Sequence, residues 1–351
     1  MRHASSRSTD YYLQQALANT TQRTYGTAVR SYKEYCRGRG WREDETITDR
    51  RLADWLAALA DGGQHTFNTL NVYKAALRNR FIIESGAGHA GRNPADSDYL
   101  KLVLQGIGRD KAPHEQAKRA AAVKSDPATP AVVMSLAARH PGHLPELCMR
   151  YAAMCLGACA GLRPNELLGA PQHRERALRR AQITFLDAAG AACSPGQQPG
   201  QPHIIPVTCS LFLPVSKTDQ GRRGATRIIA APFAVKALAR WCAHWDQQPE
   251  SEKTSPGLLF RNAGQPLRTQ QLLAHLTAEC TAIGMTGFKF TGKCFRRGLA
   301  SSMAAAGEQP ETIKKAGGWR SGAWTKYVTT AAATQAAAAA SRRLEQGVNS
   351  S

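Results

Sequence analysis

The chain has 351 residues, 42% of them hydrophobic, which is enough to bury a sizeable core and favours two domains over one. It carries 46 Lys and Arg against 26 Asp and Glu, a net charge of +20, which points to a polyanionic partner rather than to charge kept for solubility alone. No run of residues approaches the ~18 apolar positions of a membrane span, and nine scattered cysteines without a C-x-x-C pair argue against a zinc site or a disulfide framework and for a reducing compartment.

The N-terminal MRHASSRSTDYY lacks an apolar signal core, so a soluble intracellular protein is expected. From Tyr11 to about Ile107 the periodicity is helical. TQRTYGTAVRSYKEYC puts Tyr25, Val29, Tyr32 and Cys36 on one face, with Thr21 as a candidate N-cap. Thr48 and Asp49 are placed to cap RLADWLAALA, and Thr66 opens a helix that stops at Gly86 and Gly88. A short helix, DSDYLKLVLQGIGRD, follows the Asn93-Pro94 breaker. Residues 111–128 read as a basic linker with no dependable apolar face, either crossing a nucleic acid or simply solvated. The expected division is therefore a helical domain over 1–110, a linker over 111–128 and a second domain over 129–351.

Thr129-Pro130 is an N-cap followed by proline at the first helical position. LPELCMRYAAMCLGACAGLRPNELLGA then reads as a buried helix broken at Gly161 and resumed after Pro164, with Cys155 and Cys159 as core side chains. Strand signals follow in RAQITFLD, HIIPVTCSLFLPVS and ATRIIAA, the last two joined by the tight turn KTDQGRRG. AAGAACSPGQQPGQP reads as a hairpin tip. Helices are expected from Pro232 to the end, the last within AAATQAAAAASRRL. Residues 1–125 hold 20 basic against 13 acidic residues and residues 126–351 hold 26 against 13, so both parts are basic, as two lobes gripping one duplex would be.

Four islands carry chemistry: GLRPNELL around Arg163, SKTDQ around Lys217, KCFRRG around Arg296, and GGWRSGAWTKY ending at Tyr327. Breaking a phosphodiester without metal requires charge around a phosphorane-like transition state and a proton for the leaving 5′-hydroxyl. Arginine suits the first task, because its fork holds two phosphate oxygens and stays protonated. Arg163 lies where a buried helix is interrupted, and Glu166 is placed to hold its guanidinium or to cap the helix restarting at Pro164. On spacing alone, Arg163 reads as a surface cation, Lys217 as a solvated turn lysine and Trp319 as a packing residue. Arg222, Arg223, Arg297 and Lys326 are candidate phosphate contacts, although Arg297 would face away from Arg296 on a helix.

In order and wording these islands resemble the catalytic boxes of the tyrosine recombinase (phage integrase) family. The resemblance is strong over roughly residues 130–335 and weaker over the N-terminal helices. The FRRG box and GGWRSGAWTKY look most like the crypton- and Ngaro-type recombinases of eukaryotic mobile elements. It implies a mainly α fold with a small antiparallel β-sheet: an all-α, SAM-like core-binding domain followed by an α+β catalytic domain. It also implies a nucleophilic Tyr327 forming a 3′-phosphotyrosine, charge stabilisation by Arg163, Arg296, Lys293 and Trp319, and Lys217 as general acid. Lys293 departs from the pattern, which usually places histidine there. No metal, ATP or other cofactor is implied.

The implied partner is double-stranded DNA, clasped by two domains and exchanged within a homotetramer of protomers that are monomeric when free. A eukaryotic host would place the work in the nucleus, and any other host in the cytoplasm. Two alternatives share the residues: a type IB-like topoisomerase that relaxes DNA without site choice, and a domesticated DNA-binding protein whose catalysis is impaired at Lys293.

Overall fold

The computed structural model describes residues 17, 19–42, 47–85, 92–121, 125–139, 144–169, 176–196, 205–214, 223–249, 257–262 and 265–328. The chain divides into two compact units, Met1–Ala122 and Val123–Ser351.

The first unit is helical: α1 (Asn19–Gly38), α2 (Asp49–Asp61), α3 (Phe67–Ser85), a 3₁₀ turn at Pro94–Asp96, and α4 (Asp98–Ala121). Thr48 caps α2 by accepting from Arg51 N, and the Thr66 hydroxyl accepts from Thr69 N at the start of α3. Asn93 caps the 3₁₀ turn through Ala95 N. The stripe expected on α1 faces the core, where Tyr32 packs edge-on against Trp55 and Trp55 stacks on Tyr73. Because α1 begins at Asn19, Thr21 lies within the helix and is not its cap.

The larger difference is at α4, which runs through Pro113 to Ala121, so residues 111–121 are helix where a linker was expected. Its far end is held by a tertiary contact, since the Glu115 carboxylate accepts from Phe67 N at the start of α3. That contact supplies an anchor where the local sequence has no apolar face.

The second unit contains α5 (Pro130–Ala138), α6 (Pro145–Ala160), α7 (Pro164–Leu167), four strands, β1 (Ile183–Leu186), β2 (Ala192–Cys193), β3 (Thr208–Leu213) and β4 (Ala225–Ile229), then α8 (Pro232–Asp246). A two-stranded hairpin, β5 (Arg261–Asn262) and β6 (Gln265–Pro266), precedes α9 (Thr269–Ala282), α10 (Cys294–Ala305), α11 (Pro310–Gly317) and a 3₁₀ stretch, Gly322–Tyr327. The four-stranded sheet has the order β2-β1-β3-β4, antiparallel throughout. The short β5–β6 pair lies within the stretch after Pro232 where only helices were expected.

Alternation sets the sheet's faces: Ile183 and Phe185 of β1 and Cys209, Leu211 and Leu213 of β3 point into the core. Part of the segment read as a hairpin tip returns to the sheet as β2, turned back by the Asp187 carboxylate, which accepts from Ala189 N and Ala191 N. The helix α6 is buried on every side, from Cys148 to Ala160, and α8 packs on it through Val235, Leu238, Trp241 and Cys242. Thr129 caps α5 as its Thr-Pro signature predicts, accepting from Val132 N. Among the described residues no helix is long and apolar enough to cross a membrane. The tip of the β3–β4 hairpin at 215–222 and the Ala-rich segment after Val328 lie outside the described residues.

Candidate active site

Gly161 ends α6 in the left-handed conformation, φ 56°, and turns the chain into Leu162-Arg163-Pro164. Arg163 is the N-cap of α7, its backbone extended ahead of Pro164. Glu166 grips it twice: Oε1 accepts from Nη1 at 2.6 Å and Oε2 accepts from the backbone N at 2.9 Å. Both tasks foreseen for Glu166, holding the guanidinium and capping the helix, are done by one carboxylate that is itself buried.

The start of α10 faces this turn. Gly292 packs against Pro164, its missing Cβ standing only 3.0 Å from Pro164 Cγ. Lys293 follows as the N-cap of α10 with its side chain exposed. A lysine at a helix N-terminus adds its charge to the positive end of the helix dipole, a combination that attracts an anion.

Arg296, one turn on, is 3% exposed. Its Nη1 donates to Gly161 O at 2.6 Å and to Gly317 O at 3.0 Å, linking the end of α6 to the end of α11. Its Cζ lies 4.4 Å from the Trp319 ring centre and 5.7 Å from that of Tyr327. The two rings are 5.6 Å apart and inclined at 46°. Nε and Nη2 of Arg296 and Nε1 of Trp319 are buried without an acceptor among the described residues. Burial, together with the neighbouring charge of Arg163, lowers the Arg296 pKa to about 10. The guanidinium stays charged at neutral pH, held by two carbonyls and two π faces.

Trp319 reaches this position through Gly317-Gly318. At Gly317 a Cβ would fall 1.7 Å from Trp319 Cζ3, and Gly318 is left-handed with φ 64°, so the turn admits no larger residue at either place. Tyr327 ends the 3₁₀ stretch, where a regular helix had been expected, and is half-buried. It packs with Trp319, Ala300 and Ile313, while Ser301 Oγ of α10 donates to its backbone oxygen at 3.3 Å.

Of the expected residues, the structure thus gathers Arg163, Glu166, Arg296, Trp319 and Tyr327, with Lys293 exposed at the edge. Lys217 and Arg222 lie outside the described residues. Arg223 and Lys326 are exposed. Arg297 is 9% exposed, with its Nε enclosed. Among the described residues no three His, Cys, Asp or Glu side chains converge as metal ligands.

Sequence reasoning missed Arg227. It lies on β4, paired with the fully buried Leu211, and donates from Nη1 to Lys315 O at 3.2 Å. Desolvation lowers its pKa, with Glu166 raising it and Arg163 lowering it further, which places Arg227 in the field of the same cluster. A signal existed in ATRIIAA, because an arginine occupies the inward parity of that strand while Ile228 points out, 62% exposed.

No family model matches the sequence, and no curated protein matches it. Solved structures do. The chain is similar to the XerH site-specific recombinase bound to palindromic difH substrate in a post-cleavage complex, at 15% identity and TM-score 0.53, covering 93% of this chain and 78% of that one. It is similar to XerH in a pre-cleavage complex with difH, at 14% identity and TM-score 0.52 over the same shares. A dimer of lambda integrase bound to a core site is also similar, at 16% identity and TM-score 0.45, covering 92% of this chain and 94% of that one. The two XerH likenesses show that this chain shares the fold of that site-specific recombinase, mainly helical with a small four-stranded antiparallel sheet.

Proposed function

We propose that this protein is a tyrosine recombinase that cuts and rejoins DNA through a covalent 3′-phosphotyrosine at Tyr327. The observation that carries the reading is Arg296: a buried cation with two nitrogens lacking acceptors among the described residues, set between Trp319 and Tyr327 and beside Arg163. Buried donors without partners are costly, and a site that retains them is built to receive an acceptor. Phosphate oxygens fit, because the arginine fork holds them bidentately and the indole N–H donates without titrating.

In this reading the Tyr327 oxygen attacks phosphorus as the bond to the 5′ oxygen breaks. Arg163, Arg296 and Trp319 hold the non-bridging oxygens, where fixed charge has its greatest effect on rate. Lys293 adds charge at the N-terminus of α10, and Lys217 protonates the leaving 5′ oxygen. The phosphotyrosine conserves the bond energy, so rejoining needs no nucleotide cofactor. Since Nε and Nη2 of Arg296 are enclosed as the site stands, phosphate entry requires a covering ring to move. Tyr327, half-buried at the end of a short 3₁₀ stretch, is the less confined of the two.

The net charge of +20 supports a duplex DNA partner. We further propose strand exchange by four protomers and a role in moving a crypton- or Ngaro-like element, in the nucleus if the host is eukaryotic. Both extensions rest on the resemblance of the motifs. The reading is tested by selecting bound duplexes from a randomised pool and placing nicks across the selected site, so that cleavage releases a short strand and cannot reverse. Accumulation of a protein–DNA adduct that survives denaturation supports the reading. Tight binding with no adduct at any nick position would instead identify a DNA-binding protein without strand transfer.

A further inference from the structure

We infer that Arg227 is a positioning residue of the strand-transfer site: from the sheet it fixes the Gly317-Gly318-Trp319 turn and thereby the Trp319–Tyr327 ring pair. The inference rests on the functional reading above, and names a residue that none of the four motifs contains.

The turn after α11 is held from two sides. Arg296 donates to Gly317 O at 3.0 Å from the side of α10, and Arg227 donates to Lys315 O at 3.2 Å from the side of the sheet. Both carbonyls belong to the last turn of α11, where the dipole favours cations, and Lys315 O also accepts from Gly318 N at 3.4 Å. Contact with the turn is direct, because a Cβ on Gly318 would lie 1.6 Å from Arg227 Nη2. The guanidinium thus fills the space that the left-handed glycine leaves open. Gly318 leads straight into Trp319, whose ring covers Gly317 and meets Tyr327 at 5.6 Å.

The stem of Arg227 is anchored in turn. It occupies the inward parity of β4 opposite Leu211, and its Nε is buried. Displacing the guanidinium leaves Lys315 O without this donor and opens a gap beneath Gly318. The turn then relaxes towards the sheet, and Trp319 and Tyr327 move with it. Misplacing reacting groups by about 1 Å costs roughly a hundredfold in rate even when the substitution is remote from the chemistry.

The test combines a spectroscopic readout with a rate. Protein carrying 5-fluorotryptophan gives six fluorine signals, one per tryptophan, and the signal lost in Trp319→Phe belongs to Trp319. In Arg227→Ala the Trp319 signal should shift while the other five hold, adduct formation should slow roughly a hundredfold, and DNA affinity should stay within a few-fold. Arg227→Lys keeps the buried stem and one donor, and should show both changes at smaller size. It decides the question if collapse of all six signals shows that Arg227→Ala does not fold. An unmoved Trp319 signal overturns the inference whatever the rate, because Arg227 would then act on substrate or not at all. A moved signal with wild-type adduct formation overturns it too. Wild-type protein that forms no adduct sinks the functional reading instead, an outcome distinct from wild-type and Arg227→Ala reacting equally fast.

Discussion

The two arginines of the site sit in opposite kinds of surroundings. Arg163 is partly exposed, its charge matched by a carboxylate that also caps the helix it begins. Arg296 is almost fully enclosed, makes no ion pair among the described residues although Glu166 and Tyr327 lie in its field, and rests on two carbonyls and two rings with two nitrogens left over. An ion pair of the first kind holds the side chain still and keeps the buried Glu166 carboxylate matched by a charge. A lone cation of the second kind is expensive to bury, and is retained where a ligand completes it. One arginine is therefore a fixed wall of the phosphate pocket, and the other is its incomplete centre.

That contrast fixes the order of effects. Arg296→Lys should lose the most, on the order of a thousandfold in the rate of adduct formation, because a lysine cannot span two carbonyls and still fork onto phosphate. Arg163→Lys keeps a charge beside Glu166 and should lose less, roughly a hundredfold. Equal losses, measured on the same nicked duplex, would erase the distinction.

Lys293 lies outside both environments, exposed at the start of α10. Acting as a positive charge, it should tolerate Lys293→His, and Lys293→Ala should slow the reaction less than Arg163→Lys does, because both arginines remain to hold the phosphate. A Lys293→Ala loss as deep as that of Arg296→Lys would make this lysine part of the centre.

The smallest effect is on stability. Burial lowers the Arg296 pKa to about 10, below its value in the unfolded chain. As pH rises through about 10 the folded state binds fewer protons than the unfolded state, so this group's contribution to stability increases with pH. Thermal denaturation between pH 9 and 11 should show that slope in the wild type, and a shallower one in Arg296→Met. Identical slopes would mean that Arg296 is not buried as a cation.

What the sequence disclosed follows how local each cause is. Caps at Thr48, Thr66 and Thr129 were legible because the hydroxyl and its backbone partner lie within three residues. Arg163, Trp319 and Tyr327 stood out through the resemblance of their boxes to a known family, since spacing alone reads Arg163 as a surface cation and Trp319 as a packing residue. The end of α4 was not legible, since Glu115 finds its partner 48 positions away at Phe67. Arg227 was hidden for the same reason: its partner, Lys315 O, is 88 positions distant. Its one local trace was an arginine at an inward strand position. The 3₁₀ geometry at Tyr327 depends on packing against α10 and α11, which no window of eight residues contains.

The central claim is that Tyr327 becomes covalently joined to DNA. Trypsin cleaves after Lys326, so the peptide of interest begins at Tyr327, and digestion of a trapped adduct with nuclease and trypsin isolates it. Mass spectrometry should find a nucleotide remnant on the Tyr327 phenol, and Tyr327→Phe should bind the same duplex within a few-fold yet yield no adduct. A remnant on any other residue, or an undiminished adduct in Tyr327→Phe, would contradict the account.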